Sequence, residues 1–189
     1  MQTQNERLAV ARETPVGVVG VVEGLFTAEA AGAPMIAHET VQVIVGAGLV
    51  GDRYAAGSGT YSQVPGGNRE LTLIAAEALE MIAREFDVPL TQAQCRRNII
   101  TRGVNLDALY GKRFRIGAVE CYGARECPPC GYIERLTGFA GLNRALSGRG
   151  GLRVDILSAG EIAVGDTIYD VRDALSTNAA PRVAPVLLS

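Results

Sequence analysis

Lysine is almost missing. Of eighteen cationic side chains, Lys112 is the only lysine, and the rest are arginines. Chemistry that needs a Schiff-base lysine therefore has one candidate, in a turn before a strand, which is a poor place for a buried imine. Histidine is equally scarce. His38 is the single one, so zinc sites built on paired histidines are excluded. It lies in a polar turn and reads as a surface residue. Net charge is −2, which gives no global field for nucleic acid or an anionic membrane. The polar start lacks the apolar core of a secretion signal, and the apolar run over 16–22 is too short for a bilayer and ends at Glu23. A cytoplasmic location is expected. In a reducing compartment four cysteines make no disulfide framework; they are core fillers, metal ligands or reactive thiols.

Hydrophobic residues make up 48% of the 189-residue chain, enough for one sizeable core. Residues 1–15 read as a loose arm, 16–172 as one domain and 173–189 as a tail. Short apolar stretches at 16–26, 40–45, 70–74, 98–101, 114–116, 118–122 and 152–158 read as strands separated by glycine turns. Residues 162–164 and 167–171 flank Gly165-Asp166 and predict a hairpin. Helical spacing is clearest over 75–86, with short helices at 131–136 and 140–146 around Gly138. Strands outnumber helices without regular strand–helix alternation. The expected fold is mostly β, a barrel with a few short inserted helices.

The densest chemistry is Arg125-Glu126-Cys127-Pro128-Pro129-Cys130-Gly131. A thiolate is favoured near a cation or a helix N-terminus, and both are expected there. Cys127 and Cys130 have the spacing of a redox dithiol. They could also be half of a zinc site with Cys95 and Cys121, a single reactive thiol at Cys130 with Cys127 as neighbour, or two buried hydrophobes. Upstream, Arg96-Arg97-Asn98 enters an apolar strand. Adjacent residues point to opposite faces, so one arginine turns inward only if it meets an anion or a carboxylate such as Asp107 or Glu120. Gly51-Asp52-Arg53, the serine- and glycine-rich residues 57–67 and Arg69 suggest a lid over an anionic ligand. Gly148-Arg149-Gly150-Gly151 is a backbone-rich turn.

Taken in order, Gly51-Asp52-Arg53, Arg69 with Leu71-Thr72-Leu73-Ile74, Arg96-Arg97-Asn98-Ile99, Leu109-Tyr110-Gly111, Cys127 with Pro129-Cys130, Gly150-Gly151-Leu152 and Gly160-Glu161-Ile162 with Gly165-Asp166 resemble the MOSC domain. The resemblance spans roughly residues 16–171. It implies a MOSC-type β-barrel that binds the molybdenum cofactor or a related pterin and handles sulfur or molybdenum through Cys130, with Cys127 beside it. Arg96 and Asn98 match the family's Arg-X-Asn element, and Arg53, Arg69 and Arg125 would add charge at the same mouth. Tyr54 stands where the family usually has histidine. Pyridoxal phosphate belongs to a different domain of larger relatives and is not expected here. Three functions follow: a sulfur carrier fed by a cysteine desulfurase, a molybdenum-dependent reductase of N-hydroxylated compounds fed by an electron-transfer protein, or a non-catalytic cofactor-binding or assembly module.

Overall fold

Residues 15–64 and 69–171 are described by a computed structural model of the chain. The expected tail, most of the expected arm and four residues of the glycine-rich loop lie outside them. Eleven strands form: β1 (Pro15–Thr27), β2 (Ile36–His38), β3 (Thr40–Ile44), β4 (Gly48–Leu49), β5 (Leu71–Ala75), β6 (Ile99–Arg102), β7 (Arg113–Ile116), β8 (Val119–Glu126), β9 (Leu152–Ile156), β10 (Gly160–Ala163) and β11 (Thr167–Val171). Three helices are inserted: α1 (Ala76–Phe86), α2 (Gly131–Thr137) and α3 (Leu142–Ala145). None is long and apolar enough to cross a membrane.

Seven strands close into a barrel in the order β1, β11, β7, β8, β9, β5, β6 and back to β1. The closing strand is β1, whose 13 residues serve two partners. It pairs with β11 through Val21 and with β6 from Val21 to Leu25. Register shifts let it bend between them, and Gly20 sits at one. A Cβ on Gly20 would lie 2.3 Å from the Arg102 carbonyl oxygen, so only glycine lets the strands approach there. Closure removes the free edges an open sheet would expose.

Alternation along the strands divides the apolar residues between two cores. Leu71, Leu73, Phe114, Cys121, Val154, Ile156 and Ile168 fill the barrel. Ile74 and Ile100 join Leu79 and Ile82 of α1, Ile133 of α2 and Leu142 of α3 in a second core outside it. Among the described residues, β5 and β6 are the one parallel strand pair, and α1 makes the crossover such a pair requires. Asp87 ends α1 in the left-handed conformation, which a short polar side chain tolerates.

Strand positions agree with the alternation in the sequence, but one pairing does not. The predicted hairpin around Gly165-Asp166 is absent. β10 pairs with β3 in a separate three-stranded sheet, while β11 pairs with β1 and β7. The turn itself is claimed by β1. Gly165 N–H donates to the Val22 carbonyl, and Val22 N–H donates to the Asp166 carbonyl, each at 2.9 Å. His38 is half-buried in β2, its Nε2 2.7 Å from Thr27 Oγ1, rather than a free surface residue.

Candidate functional site

A cavity of about 410 Å³ opens where the outer face of β8, β9 and β5 meets α2 and residues 53–61. That face carries a row of polar side chains because the apolar ones alternate into the barrel. Arg125 on β8 lies opposite Arg153 on β9, and Arg153 lies opposite Thr72 on β5. Arg53, Arg69, Arg96 and Arg97 complete a lining of six arginines. Tyr54, Tyr61 and Tyr132 supply the aromatic walls, and Cys127, Pro128, Pro129 and Cys130 one rim.

Asp52 is the hub beneath the Arg53 end. It is 2% exposed, and its carboxylate accepts from Arg53 Nη1 at 3.0 Å, Asn98 Nδ2 at 3.2 Å and the backbone N–H groups of Ala28 and Tyr54. Arg53 in turn donates to the Arg96 carbonyl. Asn98 is fully engaged away from the cavity. Its Oδ1 accepts from Thr72 N–H and Oγ1, and its Nδ2 donates to the Phe26 carbonyl as well as to Asp52. The structure thus gives Asn98 a scaffolding position, with no atom lining the cavity.

Arg96 differs. Its backbone is left-handed, φ 61°, which is uncommon for a residue with a Cβ. Burial, and then the neighbouring Arg53 charge, hold its guanidinium below the usual arginine range. Nη1 donates to the Ala33 carbonyl, while Nη2 is buried without a partner among the described residues. Arg69 Nε and Arg153 Nε are in the same state. Buried donors without acceptors are rare in folded proteins, and they mark a place for an anion. Neither Arg96 nor Arg97 meets Asp107 or Glu120; Glu120 pairs with Arg115. Arg97 instead ties loops together, donating to the carbonyls of Gly150 at 2.8 Å, Cys95 at 3.3 Å and Cys127 at 3.2 Å.

The four thiols divide sharply. Cys95 and Cys121 are fully buried, and burial pushes both up, Cys95 to about 11. They are core residues. Cys127 is 5% exposed, with its N–H on the Gly151 carbonyl at 2.7 Å. Cys130 is half-buried, immediately before α2. Burial alone would raise its pKa. The Tyr61 hydroxyl at 3.4 Å, the N–H groups of Tyr132 and Ile133 and the charge of Arg97 outweigh that, and the thiol lies below its ordinary value. Tyr61 is held above its own usual value, chiefly by that hydrogen bond. Tyr61→Phe is therefore expected to move the alkylation midpoint of Cys130 to higher pH and slow its reaction with iodoacetamide at pH 7. An unchanged pH profile would remove Tyr61 from this role.

The Cys-X-X-Cys spacing does not yield a dithiol geometry. No turn forms over 127–130, and Cys130 is extended. Cys127 and Pro128 each precede a proline and favour extended backbone. At about 3.1 Å per residue the Cα atoms lie roughly 9 Å apart, beyond the ~7 Å that a disulfide bridges. Among the described residues no three His, Cys, Asp or Glu side chains gather as a metal site, so Cys95 and Cys121 do not complete one.

Of the residues singled out in the sequence, the structure brings Arg53, Arg69, Arg96, Arg125, Cys127 and Cys130 to one cavity and leaves Asn98 beneath it. Tyr61, Tyr132 and Arg153 were not anticipated. Arg153 had a signal: it is a lone charge in the alternating Leu152–Ile156 strand, so it must face away from the barrel.

The geometry sits within a recognisable frame. YuaD from Bacillus subtilis superposes with TM-score 0.68 at 18% identity, covering 80% of this chain and 95% of that one. YiiM from Geobacillus stearothermophilus gives 0.57 at 15%, with 82% and 74% covered. YiiM from Escherichia coli gives 0.56 at 18%, with 84% and 71% covered. At such identities the likeness speaks to the fold alone. A comparison with curated proteins gave no match. The family model for the MOSC domain matches residues 51–169, which takes in every arginine of the cavity and both cysteines of its rim, and the chain belongs to the MOSC domain family.

Proposed function

We propose that this protein binds the molybdenum cofactor, or a related pterin phosphate, in the arginine cavity and carries sulfur on Cys130. The observation that carries the reading is a thiol of lowered pKa on the rim of a cavity whose arginines retain buried donors without acceptors. The residues fit such a ligand. The volume lies within the ~300–1,000 Å³ usual for small-molecule sites. Arg96, Arg69 and Arg153 would hold the phosphate, Tyr54 and Tyr132 would wall the pterin, and Cys130 is a soft donor for a metal end. When bound, the cofactor would supply a metal that accepts sulfur.

The chain's own chemistry is at Cys130. Its thiolate attacks the outer sulfur of a persulfide R–S–SH presented by a donor such as a cysteine desulfurase. A bond forms from Cys130 Sγ to that sulfur, the donor's S–S bond breaks, and the donor leaves as R–S⁻ with the bonding pair. Cys130 then holds the S–SH group. Tyr61 holds the thiolate in place before attack, and the extended prolines keep Cys127 from displacing the carried sulfur as a disulfide.

The same lone thiolate also favours a second reading, in which Cys130 ligates molybdenum and the protein reduces N-hydroxylated compounds with electrons from a partner. Elemental analysis and intact mass of protein purified without reductant from a cofactor-producing host separate the two. A gain of one sulfur atom on Cys130 without metal supports carriage. Near-stoichiometric molybdenum, lost in Cys130→Ser, supports reduction. Neither result would overturn both and leave a non-catalytic module.

A further inference from the structure

Two of the cavity's arginines face each other across a strand pair. Arg125 and Arg153 are direct partners in the β8–β9 register, a placement in which like charges repel. Burial first, then Arg153 and Arg69, depress the Arg125 guanidinium, and Asp155 further along β9 offsets only part of this. Arg69 and Arg153 each retain a buried Nε without an acceptor among the described residues. These three arginines lie apart from the Arg53–Arg96 end, where Asp52 supplies a counter-charge. The cavity therefore has two cationic poles, and only one has an internal anion beneath it.

The arginine pair is also a boundary. Outside it lies a shallow depression of about 400 Å³ lined by Tyr110, Arg125, Glu126, Pro128 and Arg153. Arg125, Pro128 and Arg153 line both spaces, so the two are continuous. Tyr110 is 56% exposed, the most exposed of the large hydrophobic side chains described. Its backbone is nevertheless fixed: it follows the 3-10 turn Leu106–Leu109 and bridges to Gly123. A flat apolar ring held in place beside two arginines is the arrangement that stacks a heteroaromatic base next to a phosphate. Glu126 argues for a base over further phosphate. Its carboxylate would repel a longer polyanion and can accept from an exocyclic amino group.

The geometry points to a nucleotide-extended ligand: a diphosphate spans Arg69, Arg125 and Arg153, and a base lies on Tyr110. This rests on the reading of the cavity as an anion site, and it extends the ligand class from a pterin monophosphate to a diphosphate joined to a nucleoside.

The test is calorimetric titration of the full chain, as wild type and as Cys130→Ser, with orthophosphate, pyrophosphate, ADP, GDP and CDP. Pyrophosphate should bind more tightly than orthophosphate. At least one nucleoside diphosphate should bind about tenfold more tightly than pyrophosphate, the scale of one stacked base. Tyr110→Ala should bring that nucleotide down to the pyrophosphate level and leave pyrophosphate unchanged, while Tyr110→Phe should retain the advantage. Arg153→Gln should weaken both ligands. If pyrophosphate binds but no nucleotide exceeds it, or Tyr110→Ala changes nothing, the nucleotide extension is overturned and the anion cavity stands. If no phosphate binds, both fall. Sulfur loading on Cys130, read by mass, is independent of either result.

Discussion

Cys130→Ser abolishes sulfur loading, and Cys127→Ala retains it within a few-fold, when each variant is incubated with a cysteine desulfurase and cysteine and then weighed intact. The serine result follows from chemistry: a hydroxyl forms no persulfide, and its pKa leaves it protonated where a thiolate is required. The cysteine that matters is the one with its charge provided for. Cys130 has a phenol, two backbone N–H groups and a guanidinium arranged around its sulfur. Cys127 contributes mainly through its backbone, its N–H to Gly151 and its carbonyl to Arg97, both of which alanine preserves. A resolving thiol would need to reach Cys130, and the extended Pro128-Pro129 segment sets the two apart. Complete loss of loading in Cys127→Ala, with melting unchanged, would contradict this division and restore a two-thiol mechanism.

The second large effect is on stability. Asp52→Ala is expected to cost about 3–5 kcal/mol, because it leaves a buried guanidinium without its partner. Side-chain exposure of the Arg53–Asp52 pair is 7% and 2%, so water cannot substitute. Asn98 Nδ2 and two backbone N–H groups lose an acceptor at the same time. Urea denaturation at fixed pH gives the figure from the shift in midpoint. A loss under about 1 kcal/mol would place the pair with solvent-screened ion pairs instead. Gly-Asp-Arg is thus the cavity's foundation at one end: Asp52 fixes Arg53, and Arg53 fixes the backbone of Arg96.

Local chemistry made most of the barrel legible. Alternation at Leu71–Ala75 and Leu152–Ile156 and spacing over Ala76–Phe86 fix element type from side-chain period alone. The partner of β10 was not legible. A glycine-aspartate turn is compatible with a hairpin, and only the long-range bonds from Val22 give it another use. Short strands β2 and β4 escaped for a similar reason, since two or three residues carry no period. At the site, Cys130 and Arg96 stood out because their types are costly to bury unless a partner is present. Asn98 stood out equally, but its amide is spent on Thr72, Phe26 and Asp52. Residue type tells that a polar group will be satisfied, not by whom. Tyr61 lay in a stretch dominated by glycine and serine, where nothing local distinguishes a ring that reaches Cys130 from one that faces water.

The left-handed backbone at Arg96 has a further consequence. A residue with a Cβ in that conformation stands above its local minimum by roughly 1 kcal/mol or more, and the unanswered Nη2 adds to the deficit. Glycine would relieve the backbone and asparagine would tolerate it, so arginine is the choice that fold stability alone would reject. The ligand-free chain is correspondingly nearer to unfolding than its packing implies. An anion that answers Nη2 adds to the folding free energy by mass action. Supply of that anion thereby governs how much folded protein a cell retains, and turnover of the empty form becomes a gauge of cofactor availability.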